Sequence, residues 1–181
     1  MKWILYPILL VLMSAPVSAN LMIGANYIYL FGENETEGDK VSAYSNVLSS
    51  SIHYKFRLGE AFYISPGLSY GLKIGSGSVE AGSMDGDLDI NSLMQAHLKV
   101  EYFPSDKWSI YVEPTYAEMN YKVSLYDSTE DRNIQSRDID ESYFSSTLGF
   151  SYLINNKVSL GVSAGVFKKV NVIQIGGDFR F

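Results

Sequence analysis

The stretch VSLGVSAGVFK at positions 158–168 alternates strictly between apolar residues and serine or glycine until its last two positions. Val158 and Leu160 begin one face, and Ser159 begins the other. A period of two predicts a β-strand whose two faces meet different surroundings. The segment at 62–74 shows the same alternation, which runs through nearly the whole chain after residue 19. The sequence therefore predicts an all-β protein.

The first 19 residues have the order of a secretory signal peptide. Lys2 supplies the basic start, residues 3–13 are apolar, and a run of small residues ends at Ala19. This order predicts cleavage after Ala19 and a mature barrel domain at 20–181. The apolar run is shorter than the roughly 20 residues that a membrane-spanning helix needs.

Composition excludes several classes of protein. The chain has no cysteine, so a disulfide and a thiolate metal site are both excluded. A net charge of −6 argues against a nucleic-acid partner, which requires a basic surface. Mean hydropathy is near zero although 14% of the residues are aromatic. A helical membrane protein would show long apolar runs, whereas a β-barrel contacts lipid with only every second strand residue.

The two strand faces favour a barrel in lipid over a water-soluble sandwich, which would also alternate. Glycine and serine dominate the polar faces, with few charges, which suits a narrow and crowded interior. The apolar faces carry aromatic residues near their ends, as the aromatic girdles of a membrane barrel do.

Short and long connections alternate along the chain. Short turns are predicted at 57–61, 104–107 and 155–157; long connections are predicted at 33–42, 75–89 and 124–141, with a tighter one at 168–171. Short periplasmic turns opposite longer outer loops are typical of bacterial barrels. We therefore predict an eight-stranded antiparallel up-and-down transmembrane β-barrel, with strands at 21–31, 44–56, 62–74, 90–103, 108–123, 142–154, 158–167 and 172–181.

The chain ends in Gly177-Asp178-Phe179-Arg180-Phe181. This ending resembles the C-terminal signal that the barrel assembly machinery reads, with Phe181 as its last residue. Together with the size, strand count and loop pattern, the chain resembles the small outer-membrane barrels, the group of the OmpA transmembrane domain and the OmpX/Ail proteins. The resemblance implies a monomer in the bacterial outer membrane, in contact with lipids and lipopolysaccharide. It also implies a role in adhesion, host-defence resistance or envelope integrity.

Charged residues are predicted to fill the barrel interior. Strand parity directs Lys55, Lys73, Lys99, Glu101 and Glu113 inward. Eight strands leave an interior just wide enough for side chains, and buried charges must pair. We expect these five residues to form a paired network that plugs the lumen and makes the protein a poor pore. A narrow conduit for small or apolar solutes remains the alternative.

No catalytic residue is assigned, and no cofactor or metal is expected. Lipid A deacylases of this size use a histidine and a serine close together on one strand. Here His53 is followed by Tyr54 and Lys55, so a His-x-Ser pattern is lacking. We expect His53 and His97 to belong to the interior network, with a lipid A-modifying enzyme as an alternative.

One acidic run resembles a calcium loop. Asp85, Asp87, Asp89 and Asn91 follow a D-x-D-x-D-x-N pattern, but Ile90 stands where the EF-hand requires glycine. The alternation favours acids along one side of a strand rim, and a weak divalent-cation site stays an alternative.

The long connections are strongly acidic, and the sequence predicts that they face outward. They carry Glu33, Glu35, Glu37, Asp39, Glu80, Asp85, Asp87, Asp89, Asp127, Glu130, Asp131, Asp138, Asp140 and Glu141 against Lys40, Arg132 and Arg137. Such a surface either keeps the hairpins solvated or binds basic partners and divalent ions. We predict a non-enzymatic outer-membrane barrel with acidic extracellular loops that can meet a host or surface ligand.

Overall fold

The computed structural model describes residues 20–36, 39–81, 84–127, 132–167 and 170–181. The predicted signal peptide at 1–19 lies outside the described residues. Within the described part, no helix is long and apolar enough to span a membrane. The described elements are all strands: β1 Asn20–Thr36, β2 Asp39–Arg57, β3 Phe62–Lys73, β4 Ser78–Ala81, β5 Met84–Tyr102, β6 Trp108–Asp127, β7 Arg132–Leu153, β8 Val158–Phe167 and β9 Val170–Arg180.

Every strand pairs antiparallel with its neighbours, and β1 pairs with both β2 and β9, which closes the sheet into a ring. The strands β3 and β4 share one place in this ring, since both pair with β2 and with β5. Nine strands therefore occupy eight positions. The predicted eight-stranded up-and-down barrel is confirmed.

The interruption between β3 and β4 is the main irregularity of the wall. The β2 pairing passes from Val47↔Lys73 to Tyr44↔Ser78, so the segment at 74–77 is longer than the β2 segment it faces. Gly75 has a φ of 77°, in the left-handed region that glycine enters most easily. On the facing strand, the β5–β6 register shifts between Ile90 and Ser92, as in a β-bulge.

The predicted extent of the long connections at 33–42, 75–89 and 124–141 was wrong. The strands β1 and β2 pair as far as Thr36↔Asp39, and β6 and β7 pair as far as Asp127↔Arg132. Most of the residues assigned to connections thus belong to strands. A membrane crossing needs only about 9–11 residues, and beyond it both strand faces meet water, so the apolar alternation stops although the ladder continues. The three predicted short turns are confirmed, between β2 and β3, β5 and β6, and β7 and β8.

The outer face of the barrel is apolar and exposed. On β6 and β7 it carries Trp108, Ile110, Leu148 and Phe150, which are between 38% and 66% exposed. Aromatic pairs lie at both ends of this band. Phe62–Tyr102 and Trp108–Phe150 lie near the short turns, with ring centroids 4.9 Å and 5.7 Å apart; Tyr116–Phe144, at 5.1 Å, lies near the opposite end. A continuous apolar face between aromatic girdles is the surface that a barrel presents to lipid.

Candidate functional sites in the lumen and on the strand edge

Glu101 lies at the centre of the ion pairs in the lumen. It is 3% exposed, because odd-numbered residues in this part of β5 point inward. Its Oε2 lies 2.6 Å from Lys55 Nζ, and its Oε1 lies 3.7 Å from Lys99 Nζ. Ser109 donates a hydrogen bond of 2.9 Å to the same Oε1. Three strands thus place their donors around one buried carboxylate.

Asp178 on β9 extends these ion pairs across the barrel. Lys99 Nζ lies 3.5 Å from Asp178 Oδ2, and His53 Nε2 lies 3.9 Å from Asp178 Oδ1. Both lysines also face aromatic rings: Lys55 Nζ lies 4.6 Å from the ring centre of Phe103, and Lys99 Nζ lies 4.2 Å from that of Tyr111. Such cation–π contacts stabilise a lysine that is held away from water.

The five residues predicted as one network occupy two places. Lys55, Lys99 and Glu101 lie together through direct ion pairs. Glu113 lines the same cavity as Lys99. Lys73 instead lies where β3 ends and pairs with Asp89. His53 was expected in this network, and it lies beside Asp178, which was not among the residues assigned to it.

A small polar cavity lies beside these ion pairs. Its volume is 40 Å³, and its lining includes His53, His97, Glu113 and Gln95. The two imidazole rings lie 6.1 Å apart, edge to face. A polar space of this size holds ordered water rather than a substrate. Among the described residues, no group of three or more histidine and carboxylate side chains could hold a metal ion.

A second, apolar layer lies further toward the long strand ends. Ile28, Val47, Leu93 and Val172 are at most 1% exposed, and they pack in one cluster with Leu30, Ile90, Ala117 and Tyr143. This apolar layer was not among the predictions from the sequence. In β1, Ile28 and Leu30 alternate with Tyr27 and Tyr29, so the residues on both faces of the strand are apolar or aromatic. Residue type therefore does not distinguish the lumen face from the lipid face there, and only the even or odd position along the strand does.

The extended part of β7 has a free edge. β8 ends at Phe167, which pairs with Ser145, so residues 132–144 pair only with β6 among the described strands. On the other side of the gap, β1 beyond Phe31 pairs with β2 alone among the strands that the structure describes. The long strands therefore continue above the β8–β9 hairpin as an open sheet.

The direction of the free backbone groups follows from two hydrogen bonds at the other end of β7. Leu153 N donates to Lys107 O on the β6 side, and Ile154 N donates to Val158 O on the β8 side. Because these directions alternate along a strand, the edge N–H and C=O groups above the hairpin belong to even-numbered residues. These residues, which we call the β7 edge, are Ser136, Asp138, Asp140, Ser142 and Phe144, and all five are exposed.

Acidic side chains lie along this part of the wall. Asp140 accepts a hydrogen bond from Asn120, which in turn accepts one from Asn91. Further out, Tyr126 donates to Asp87 over 3.2 Å, and this hydrogen bond raises the pKa of Tyr126 above its usual value. The acids at 85, 87 and 89 line one side of a strand, as the alternation predicted.

Comparisons with known proteins show which fold this chain shares with solved structures. No family model and no curated protein matches the chain. Among solved structures it is similar to Ail, the attachment invasion locus protein of Yersinia pestis, with 12% identity and a TM-score of 0.52 over 90% of this chain and 97% of that one. It is also similar to Neisserial surface protein A, with 14% identity and a TM-score of 0.54 over 91% of this chain and 99% of that one. The chain has the fold of the small outer-membrane β-barrels.

This shared fold confirms the fold that the resemblance to small outer-membrane barrels implied. The matches cover 90–91% of this chain, so the fold is shared over most of its length. At 12–14% identity they carry no residue-level role for the β7 edge or the lumen of this barrel.

Proposed function

We propose that this protein is a non-enzymatic outer-membrane barrel that binds extended, basic polypeptide segments at the β7 edge. The single observation that carries the proposal is the free edge itself. From Ser136 to Phe144 the strand spans roughly 27 Å at ~3.4 Å per residue. An unpaired edge of this length is a template for adding a further strand from another chain.

Charge at the β7 edge selects among partners. Asp138 and Asp140 project from the outer face beside the free backbone groups, and Lys122 on β6 pairs with Asp138 in register. Acidic side chains on an edge discourage pairing between two copies of the same edge. They also favour a partner strand that carries lysine or arginine on the matching face.

The ligand seen with one similar protein has the opposite charge to the partner proposed here. Ail has been solved in complex with the heparin analogue sucrose octasulfate, which is a polyanion. The acidic surface beside the β7 edge disfavours such a ligand here. We therefore propose a basic polypeptide as the partner, in a role in adhesion or host-defence resistance.

The packing of the lumen supports a binding role over the two alternatives. A conduit would need a path through both the apolar layer and the ion pairs of Glu101. A lipid A-modifying enzyme would need a reactive group that lipid can reach, whereas His53 is 4% exposed and faces the interior cavity.

The proposed location requires export and insertion into the outer membrane. Phe181 is 67% exposed and packs edge to face on Phe179, with ring centroids 5.0 Å apart. We propose that this pair is the element read by the barrel assembly machinery, and that the inserted monomer contacts lipids and lipopolysaccharide.

Replacing Ser142 with proline tests the edge directly. Proline removes one edge N–H, while the bonds of β7 to β6 belong to odd-numbered residues and stay intact. Ser142→Ala is the matched control, because it removes the hydroxyl and keeps the N–H. The probe is a capped peptide of alternating lysine and valine, compared with a peptide of the same composition in block order. Binding is measured on barrels in nanodiscs, with the heat-shifted electrophoretic mobility as the check on folding.

We expect the alternating peptide to bind the parent and Ser142→Ala, and to bind Ser142→Pro at least about tenfold more weakly, the equivalent of one lost hydrogen bond. The block-order peptide should bind weakly to all three. Equal binding of both peptides, or an unchanged affinity in Ser142→Pro, would contradict strand addition at this edge.

A further inference from the structure

The end of the barrel that carries the short turns opens into a vestibule of 710 Å³. Its floor is the ion pair of Lys55, and its rim is formed by the turns and by the ends of β1 and β9. Tyr63 and Phe103 form an aromatic wall on one side, with ring centroids 5.3 Å apart. Short turns mark the periplasmic end of such barrels, so this vestibule faces the periplasm.

Cationic side chains line one arc of the vestibule. Lys157 lies in the β7–β8 turn, and Arg180 lies next to it on β9, where Arg180 N donates to Lys157 O over 2.7 Å. Across β1, the end of β2 supplies Arg57. The acidic residues of the vestibule are Glu60, three residues after Arg57 in the β2–β3 turn, and Asp106 in the β5–β6 turn. The three cations therefore lie along the arc from the β7–β8 turn to the end of β2, with Glu60 at the β2 end of this arc.

Both guanidinium groups are oriented by neutral oxygen atoms. Arg57 Nε donates to Gly59 O over 2.7 Å, and its Nη2 donates to Glu60 O over 3.0 Å. Arg180 Nη2 donates to Asn20 Oδ1 over 2.7 Å. Each guanidinium has five N–H donors, so each keeps donors for a further acceptor. These contacts fix the direction of the groups without neutralising their charge.

We propose that the vestibule is a binding site for a phosphate-class oxyanion on the periplasmic side. Oriented guanidinium groups with spare donors match the bidentate geometry of phosphate oxygens. Lys157 adds an exposed positive charge at the same rim. The site lies at the opposite end from the β7 edge and does not depend on the function proposed for it. The phosphate can belong to a lipid headgroup of the inner leaflet or to a soluble phosphoanion.

Titration of the refolded protein in uncharged maltoside micelles tests the site. Inorganic phosphate and pyrophosphate are the probes, and binding is followed by calorimetry and by phosphorus NMR. The variants Arg180→Gln and Lys157→Gln each remove one rim charge. Lys107→Gln is the matched control, because Lys107 is an exposed turn lysine at the same end that does not line the vestibule.

We expect saturable binding with pyrophosphate tighter than phosphate. Arg180→Gln should raise the dissociation constant about tenfold, as the loss of a charge-assisted hydrogen bond does. Lys107→Gln should leave it unchanged. Unsaturable binding in the parent, or equal weakening by Lys107→Gln and Arg180→Gln, would overturn the proposal, because the response would then reflect net charge alone.

Nanodiscs of two compositions distinguish the sources of phosphate. If phosphatidylglycerol in phosphatidylcholine discs weakens pyrophosphate binding to the parent but not to Arg180→Gln, the headgroup competes for the vestibule. If both compositions give the same affinity, the occupant is a soluble phosphoanion. Either result supports the site, and loss of binding in both discs with intact folding contradicts it.

Discussion

Among single residues, Glu101 joins two lysines of the lumen through its carboxylate. Lys55 and Lys99 both direct their ammonium groups at its carboxylate. Removing one partner of a buried ion pair typically costs about 3–5 kcal/mol, because the remaining charge stays buried without compensation. Glu101→Gln should therefore lower the free energy of unfolding by about that amount, as measured by urea unfolding in micelles followed through tryptophan fluorescence.

Ser109→Ala is a milder variant at the same site, against which the effect of Glu101→Gln is compared. It removes only the neutral hydrogen bond to Glu101 and should cost about 1 kcal/mol. If Glu101→Gln and Ser109→Ala prove equally destabilising, the two lysines do not depend on Glu101 for their stability in the lumen.

Gly149 allows the ring of Tyr111 to lie across the lumen. A Cβ atom at position 149 would collide with Cζ, Oη and Cε1 of that ring, all of them atoms of a rigid group. Gly149→Ala should therefore destabilise the barrel by about 1–3 kcal/mol, the usual cost of overpacking a core. Gly59→Ala is the control, since nothing lies within 4 Å of a Cβ there. A combined Gly149→Ala and Tyr111→Leu variant should cost less than the sum of the two changes, and strict additivity would contradict the collision.

At the scale of strands, the membrane-embedded parts could be predicted from the sequence and the parts beyond them could not. In β6, Trp108, Ile110 and Val112 face lipid while Ser109 and Tyr111 face the lumen, so the period of two is visible. Beyond the membrane both strand faces meet water, and composition then looks the same in a strand and in a loop.

Two other features left no pattern in the sequence. The β-bulge beside Asn91 reverses strand parity through one extra residue, which no change in composition marks. The apolar layer in the lumen uses the same residue types as the lipid face. The charged residues around Glu101 were predictable because a charged side chain on a membrane-embedded strand is stable only when it points into the barrel interior.

The irregular wall between β3, β4 and β5 should exchange amide protons faster than the rest of the barrel. Pairing with β5 stops at Gly71↔Leu93 and resumes at Ser78↔Asp87, and the ion pair of Lys73 with Asp89 crosses this interval. We expect the Ile90 amide to exchange at least about tenfold faster than the Gln95 amide, in line with a local stability lower by ~1.4 kcal/mol.

Lys73→Met should accelerate exchange at Ile90 further, because it removes the ion pair that crosses the interval. Lys122→Met is the matched control, since Lys122 faces Asp89 from β6, on the side away from the interruption. Hydrogen exchange read by NMR checks both variants. Equal acceleration by the two would mean that Asp89 responds to any nearby positive charge and that the ion pair does not hold the wall closed.

At the scale of the whole molecule, the barrel is polarised along its axis. Acidic strands and the β7 edge lie at one end, and the cationic arc of the vestibule lies at the other. Between them the lumen has two layers in series, the apolar cluster around Leu93 and the ion pairs around Glu101. The charged layer followed from strand parity in the sequence, whereas the apolar layer required the three-dimensional structure.

Two layers in series should close the barrel to ions even when one of them is opened. In planar bilayers the parent should give no stable conductance steps. Truncating the apolar layer with Val47→Ala and Leu93→Ala enlarges the upper lumen, but Lys55, Lys99 and Glu101 still fill the section beneath it. We therefore expect this variant to stay closed, and to conduct only when Glu101→Ala is added and the folded state persists by electrophoretic mobility. Stable steps in the parent would show that neither layer blocks ions, and steps in the apolar-layer variant alone would assign the whole barrier to the apolar cluster.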